Sequence, residues 1–591
     1  MINLSFISFV SRFIDWKNNI GNKSELTSNE IKERIIYQFN GIPDYLRISL
    51  KFVIIIFWLR AFLMRVLLIE KAIDSHFQNS TVSIISIIKK LMRFFNSIFE
   101  LVVSDKNIYK PSVKIKKENY NVVFDYIVIG SGPGGSVSAS LLQEHGMNVC
   151  LLESASLCKD SAIEPYSYNE MLLKYKYGGI SSTFGDANVT FVEGGTFGGG
   201  SEVNSGLYHT TPSDILDKWE REYELKDCNK NTLDKYFSII EKKLNISFHP
   251  VSSMPKASMI LHDGASKLGW SAEEVPRWFK YNDEISSAGQ KMSMSKTYLN
   301  KFIYDDGTII TSCSANRIKK INGLWNVFCD HNNSNLRLIA KNVIFSAGTI
   351  STAELLRKSK ISKIAGKKIQ MHPTIKVVSE FDYQVNFENM GVPVHQVKEF
   401  SPNYSFGCSI SSLPFLRVFF LDHPSKFHIV DEKWKNMAIY YSHIVPEGYC
   451  TLLKAPLFSD PILKIKLTKK DRVNLANGLR DLSRLLLSAG ARFIYPSIYN
   501  GPIIKDFSDL DMLPNIINPS ETSLMTVHLF SSCPIGENKD ICVANSFGKI
   551  HGHDGLYVSD GSMLPSAPGV NPQGTIMALA YRNTYKILEK T

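Results

Sequence analysis

Three kinds of hydrophobic pattern follow one another along the chain. The first hundred residues carry dense apolar runs broken by single basic positions, and KFVIIIFWLRAFLMRVLLIEKA (51–72) and VSIISIIKKLMRFFNSIFELVV (82–103) each predict a helix. The longest charge-free run in the first, Phe52 to Leu59, is far shorter than the roughly 20 residues a membrane-spanning helix needs. Three readings stay open for residues 48–103: helices lying in a membrane interface with Lys and Arg snorkelling, helices covering an apolar surface of the main body, or, despite Arg60 and Arg65, a true span. YKPSVKIKKENYN (109–121) then reads as a linker.

The pattern changes at Phe124. Phe124 to Ile129 predicts a short buried strand, Val137 to His145 a helix, and Asn148 to Leu152 a second strand ending at Glu153. KNVIFSAGTISTAELLRKS (341–359) predicts a strand running into Ala347-Gly348 and a helix from near Ser351. Asn322-Gly323 between apolar runs predicts a hairpin. LRVFFLD (416–422) and MAIYYSHIV (437–445) read as strands of a second sheet. Near the end, GVNPQGTIMALAYRN (569–583) predicts a helix with Asn571 as N-cap and Pro572 at the first helical position.

The first strand–helix–strand unit carries chemistry. Gly130, Gly132 and Gly135 are spaced as a dinucleotide-binding loop: the first makes the tight turn, the second lets a pyrophosphate approach the backbone, and the third permits close helix–strand packing. The helix N-terminus supplies amide donors for phosphates, and Glu153 can accept from ribose hydroxyls. In EGGTFGGGSEVN (193–204), Gly198, Gly199 and Gly200 stand before Ser201 and Asn204, which suits backbone amides pressed against a flat or anionic group.

Composition narrows the partners. A chain of 591 residues, 44% hydrophobic and 21% charged, is globular and long enough for several folding units. Much of the visible basic clustering behind the formal +11 charge falls in the first 120 residues, which suits an anionic membrane surface better than nucleic acid. Nine scattered cysteines without a Cys-x-x-Cys pair fit a reducing compartment and indicate neither a zinc site nor a disulfide scaffold. With no cleavable signal peptide evident, the expected location is cytoplasmic, peripheral at a membrane surface if the front helices attach there.

Taken together, the dinucleotide motif, GGGSEVN, SAGTISTAELL and VSDGSMLPSAPGVNPQGTIMALAYRN resemble the glucose–methanol–choline (GMC) flavoprotein oxidoreductases over roughly residues 122–590, nearest the cholesterol-oxidase and long-chain alcohol-oxidase branches. The resemblance implies an α/β fold: a Rossmann-like FAD-binding domain (122–210, 296–375 and 525–591) with an inserted α+β substrate domain (211–295 and 376–524) built on an antiparallel sheet. Residues 1–121 form a basic, apolar extension outside it. It implies FAD, with Gly348, Asp560, Gly561 and Pro572 joining the glycines, Glu153, Ser201 and Asn204 around the cofactor. No histidine or cysteine stands in GGTFGGGSEVN, so FAD is expected to be non-covalent, with His209 the nearest downstream candidate for a covalent link.

It further implies that His528, an imidazole titrating near neutral pH, takes the hydroxyl proton of an alcohol beside Asn571 while hydride passes to flavin N5. Phe530, Ser531 and Ser532 depart from the small residues common after that histidine. GKKIQMHPTIKV (366–377) resembles a family segment ending in His-Pro, in which His372 has a structural role or else helps shape the site. The expected substrate is a bulky or apolar alcohol, with oxygen or a quinone or carrier as electron acceptor. The alternatives are a sugar or amino-sugar alcohol dehydrogenase and a non-redox lyase that keeps its flavin. No metal site is expected; His551 and His553 read as a loop.

Overall fold

The computed structural model describes residues 2–19, 26–66, 83–103, 122–156, 167–281, 289–387, 392–454 and 458–589. The expected linker at 109–121 lies outside them. Before it come four helices: α1 (Ile2–Asn19), α2 (Ser28–Gly41), α3 (Asp44–Val66) and α4 (Ser83–Val102). α2 starts on a capping box, in which Thr27 and Glu30 satisfy each other's backbone amides.

These helices share a core in which Phe6, Phe9, Phe13, Phe39, Phe95 and Phe99 meet, and this core continues onto the main body through Tyr168. Polar ties fix the docking. Lys17 and Glu100 form a buried ion pair at 2.9 Å, Tyr168 donates to Gln38 at 3.0 Å, and Asp44 accepts from the amide of Asp460 at 3.2 Å. Arg93 of α4 pairs with Asp422 and donates to Ser523 at 2.8 Å. The described residues of the extension therefore pack against the main body. No described helix is long and apolar enough to cross a membrane.

The main body opens with β1 (Val123–Ile129), α5 (Pro133–Glu144) and β2 (Val149–Leu152). β3 (Thr308–Ile310), β4 (Cys313–Ile321), β5 (Leu324–His331) and β6 (Ser334–Phe345) complete most of a seven-stranded sheet in the order β4-β5-β6-β1-β2-β3. The strand Leu556–Val558 pairs parallel with the second half of β6. β1 is buried between parallel neighbours on both sides, which explains its near-continuous apolar run. The hairpin falls where expected: Asn322 and Gly323, at φ 50° and 80°, join β4 to β5. After β6 the chain turns at Gly348 into α6 (Thr349–Lys358).

The second sheet has eight strands, centred on β7 (Thr374–Glu380). Beyond it lie β8 (His395–Val397), β9 (Tyr404–Cys408) and β10 (Met437–Ile444), with β7, β10, β9 and β8 adjacent in that order and antiparallel. Leu524–Thr526 pairs with the start of β7 and Phe493–Pro496 with its end. This is a Rossmann-like domain joined to an α+β domain on an antiparallel sheet. LRVFFLD is not a strand. It is helical, through α7 (Leu413–Phe419) and the 3₁₀ turn Phe420–Asp422. Pro414 starts the helix in its first turn, and Leu416, Phe419 and Phe420 are buried at helical spacing, with Val418 and Leu421 only partly covered.

Candidate active site

A cavity of about 1130 Å³ runs between the two sheets and is lined by both ends of the chain. At one end β1 turns into α5. Gly130 has φ 105°, and a Cβ there would stand 2.1 Å from the Ser346 carbonyl oxygen. A Cβ on Gly134 would lie 1.9 Å from the Ser559 carbonyl oxygen, and one on Gly135 2.0 Å from that of Gly130. These contacts lock loop, helix and returning strands together. Gly132 differs: nothing lies within 4 Å of its Cβ position, and it faces the cavity at the N-terminus of α5 with no side-chain cap. Open backbone amides at a helix start are a cradle for a diphosphate. Replacing Gly134 with valine is expected to lower both flavin content and stability, by about 1–3 kcal/mol or more from overpacking, read by denaturant titration and bound-flavin absorbance. Full flavin content at unchanged stability would reject this account of the loop.

Ser131, which sequence reasoning passed over, ties the glycine segments together. Its hydroxyl donates to Glu153 at 2.5 Å and accepts from the amide of Gly198 at 2.9 Å. Glu153 lines the cavity at the end of β2 and also accepts from the amide of Ala155 at 2.8 Å. Of the triglycine, Gly199 and Gly200 face the cavity, and Gly199 presses on the Gly132 Cα. Gly198 and Ser201 do not line it. Gly198 holds the positive φ that turns the segment, and Ser201 donates to its carbonyl and accepts from Met294. Asn204 lines the wall, donating to Gln573 at 2.7 Å.

Gly348, Asp560 and Gly561 also line the cavity. Asp560 accepts from the Gly348 amide at 2.9 Å, Thr352 at 2.6 Å and the Ser562 amide at 2.9 Å, and burial raises its pKa above the usual range. The carboxyl thus pins the start of α6 to the returning strand. An open backbone cradle, an acid at the end of β2 and a long cavity beyond fit an ADP-bearing flavin. No group of residues that could hold a metal ion occurs among the described residues.

Beyond the glycines stand the two expected reactive residues. Asn571 is not the helix cap: the closing helix α8 runs Gln573–Leu588 and Pro572 occupies the cap position. Asn571 instead turns its amide toward the site. Gln396 donates to its Oδ1 at 3.4 Å, leaving Nδ2 to donate to His528 Nε2, also at 3.4 Å. His528 then carries its proton on Nδ1 and donates to His372 Nδ1 at 3.1 Å. The network therefore leaves Nε2 the unprotonated nitrogen of His528, which lines the cavity beside Asn571.

Burial, reinforced by His443, pushes His528 down to about 3, so the ring is neutral across the physiological range rather than titrating near 7. Phe530 is fully buried with its ring 5.0 Å from that of His372, so its bulk closes the floor behind the pair. His209 is buried with neither ring nitrogen partnered, and burial pushes it to about 3; it does not line the cavity. His551 meets the Gly536 carbonyl in its loop. His372, Gln396 and His443 gave no local signal as a group, since they reach this point from separate strands or segments.

The far wall is apolar and built partly by the extension. Phe94, Ile98 and Leu101 of α4 face the cavity with Phe415, Val418 and Phe419 of α7.

Comparisons with known proteins agree with this fold. GMC oxidoreductase family models match residues 124–374 and 446–580. An uncharacterised GMC-type oxidoreductase of Sinorhizobium fredii is 31% identical over 471 residues, 78% of this chain and 93% of that protein. The long-chain-alcohol oxidase FAO3 of Arabidopsis thaliana is 26% identical, over 77% of this chain and 67% of its own. A cholesterol oxidase of Acinetobacter baumannii is 23% identical over 78% and 94%. Among solved structures, pyridoxine 4-oxidase from Mesorbium loti superposes with TM-score 0.59 at 14% identity, covering 79% of this chain and 99% of that one. Formate oxidase from Aspergillus oryzae gives 0.62 at 16%, covering 80% and 99%. With its glycine cradle and its facing His–Asn pair, the chain belongs to the GMC oxidoreductase family.

Proposed function

We propose that this protein oxidises the CH–OH group of a bulky or largely apolar alcohol, with His528 as base and FAD held non-covalently. One observation carries the reading. The His528–Asn571 pair opens into the same cavity as the glycine cradle, and that cavity continues into an apolar wall. His528 Nε2 is positioned to take the hydroxyl proton, and Asn571 Nδ2 to donate to the alcohol oxygen as negative charge gathers there. The long contact between the two leaves each able to turn to a hydroxyl placed between them. Gln396 fixes which end of the Asn571 amide faces inward, and His372 fixes the tautomer of His528. The N-terminus of α8 directs its partial positive charge into the same space. FAD, when bound, supplies the two-electron oxidant. The alcohol-oxidase relatives support the substrate class.

The test is anaerobic bleaching of flavin absorbance by a panel of long-chain alcohols, sterols, polyols and amino sugars. Long-chain or sterol alcohols are expected to bleach it. Bleaching by polyols or amino sugars alone would overturn the substrate class, and a flavin that only a chemical reductant bleaches would favour the lyase.

A further inference from the structure

The cavity wall holds a buried cation to which the reaction just described gives no role. His372, Thr374 and Lys376 all face the cavity, whereas Ile375 and Val377 between and beyond them point into the core. They share one face of the extended chain leading into β7, with Lys376 about 13 Å along it from His372 at a strand's rise per residue. Lys376 Nζ donates to Ser409 Oγ at 3.1 Å. No carboxylate among the described residues pairs with it, and its lowered pKa, about 8, traces to burial alone. Asp422, which lines the same cavity, is already paired with Arg93 and accepts from Ser523 at 3.1 Å.

The hydrogen-bond partners of Lys376 on this wall are neutral serines. Ser409, Ser497 and Ser523 line the cavity, and Ser497 Oγ accepts from the Lys376 amide at 3.2 Å while donating to the Ser523 carbonyl. Placing an unpaired ammonium in such a site is unfavourable unless a counter-charge arrives. An apolar cavity with a base at one point and a lone cation at another is complementary to a molecule with a hydroxyl at one end, a hydrocarbon middle and an anion at the other.

We infer that Lys376 is a substrate-recognition residue that receives the carboxylate of a hydroxy acid, whose alcohol end reaches His528 and Asn571. This rests on the alcohol-oxidising reading and narrows it: the substrate is an amphipathic hydroxy acid rather than a plain alcohol. Ser409, which meets the ammonium, stands ready to donate to the same carboxylate once the lysine has turned to it.

The experiment compares binding of decanoate and decanol to the FAD-loaded protein by isothermal titration, alongside Lys376→Met and Lys376→Arg. The wild-type protein is expected to bind decanoate roughly tenfold or more tightly than decanol, the scale of a charge-assisted hydrogen bond. Lys376→Met should erase that preference and Lys376→Arg keep part of it. Decanoate binding no tighter than decanol in the wild type overturns the inference without any variant, and so does undiminished decanoate binding in Lys376→Met. Anaerobic bleaching by decanol and by ω-hydroxydecanoate in the wild type reads the redox assignment separately. Bleaching without carboxylate preference keeps that assignment and rejects the subsite; carboxylate preference without bleaching does the reverse.

Discussion

Replacing His528 with alanine is expected to slow flavin reduction by the substrate about 10²–10⁴-fold, the range for loss of a positioned base, while leaving flavin bound. The expectation follows from the network: Asn571 Nδ2 and His372 fix the ring with Nε2 unprotonated where the His–Asn pair meets the cavity. Asn571→Ala should also slow reduction, and the double variant should lose less than the product of the two, because both side chains act on one oxygen atom. The pH profile follows from the lowered pKa. A base works only when unprotonated, so reduction falls as pH drops through the value for His528, and burial places that fall below about pH 5 rather than near 6.5. Stopped-flow reduction across pH, with wild type and both single variants, measures all of this. A His528→Ala protein reduced at the wild-type rate would remove the residue from the chemistry.

The second large effect is acid lability. Burial pushes His209 and His528 to about 3 and His443 to about 4, and His372 is held well below its ordinary value by burial with His443 and His528 beside it. The folded protein keeps these rings neutral, whereas the unfolded chain protonates each near 6.5. Below that pH the unfolded state binds more protons, so their stabilising contribution is present in full above about pH 6.5 and is lost as pH falls toward 4. Each ring contributes a slope of up to about 1.4 kcal/mol per pH unit within that window. The melting temperature is therefore expected to drop steeply between pH 6.5 and about 4.5, and His443→Gln should flatten the drop. A melting temperature that holds level across that window would show that the rings are not kept neutral.

How much of this could be read beforehand depends on whether the signal was local. Gly130, Gly132, Gly135 and Glu153 lie within one strand–helix–strand unit, and the hairpin at Asn322-Gly323 needs only two residues, so both could be placed from the sequence. His528 and Asn571 came from resemblance, and their facing geometry followed. LRVFFLD was misread because seven apolar-rich residues fit either period, and what decided was burial of Leu416, Phe419 and Phe420 against Val378 of β7 and Met437 and Ile439 of β10. Asn571 reads as a cap by residue type, but a carboxamide partner on β8 and an imidazole drew it elsewhere. Gly198 and Ser201 sat in the right motif yet turned it rather than facing the cavity. The lowered value of His528 is set by enclosure, which no stretch of sequence reports.

The position of α4 against the cavity has a consequence for how the chain is made. Arg93 meets Asp422 and Ser523, which lie 329 and 430 residues later. At about 5–20 residues per second of synthesis, the phenylalanine-rich front waits on the order of a minute before its partners leave the ribosome. During that wait its aromatic faces have for cover one another and the nearby segment around Tyr168. This segment is thus made early and fully seated late, and the chamber wall it builds closes only after residue 523 has been added.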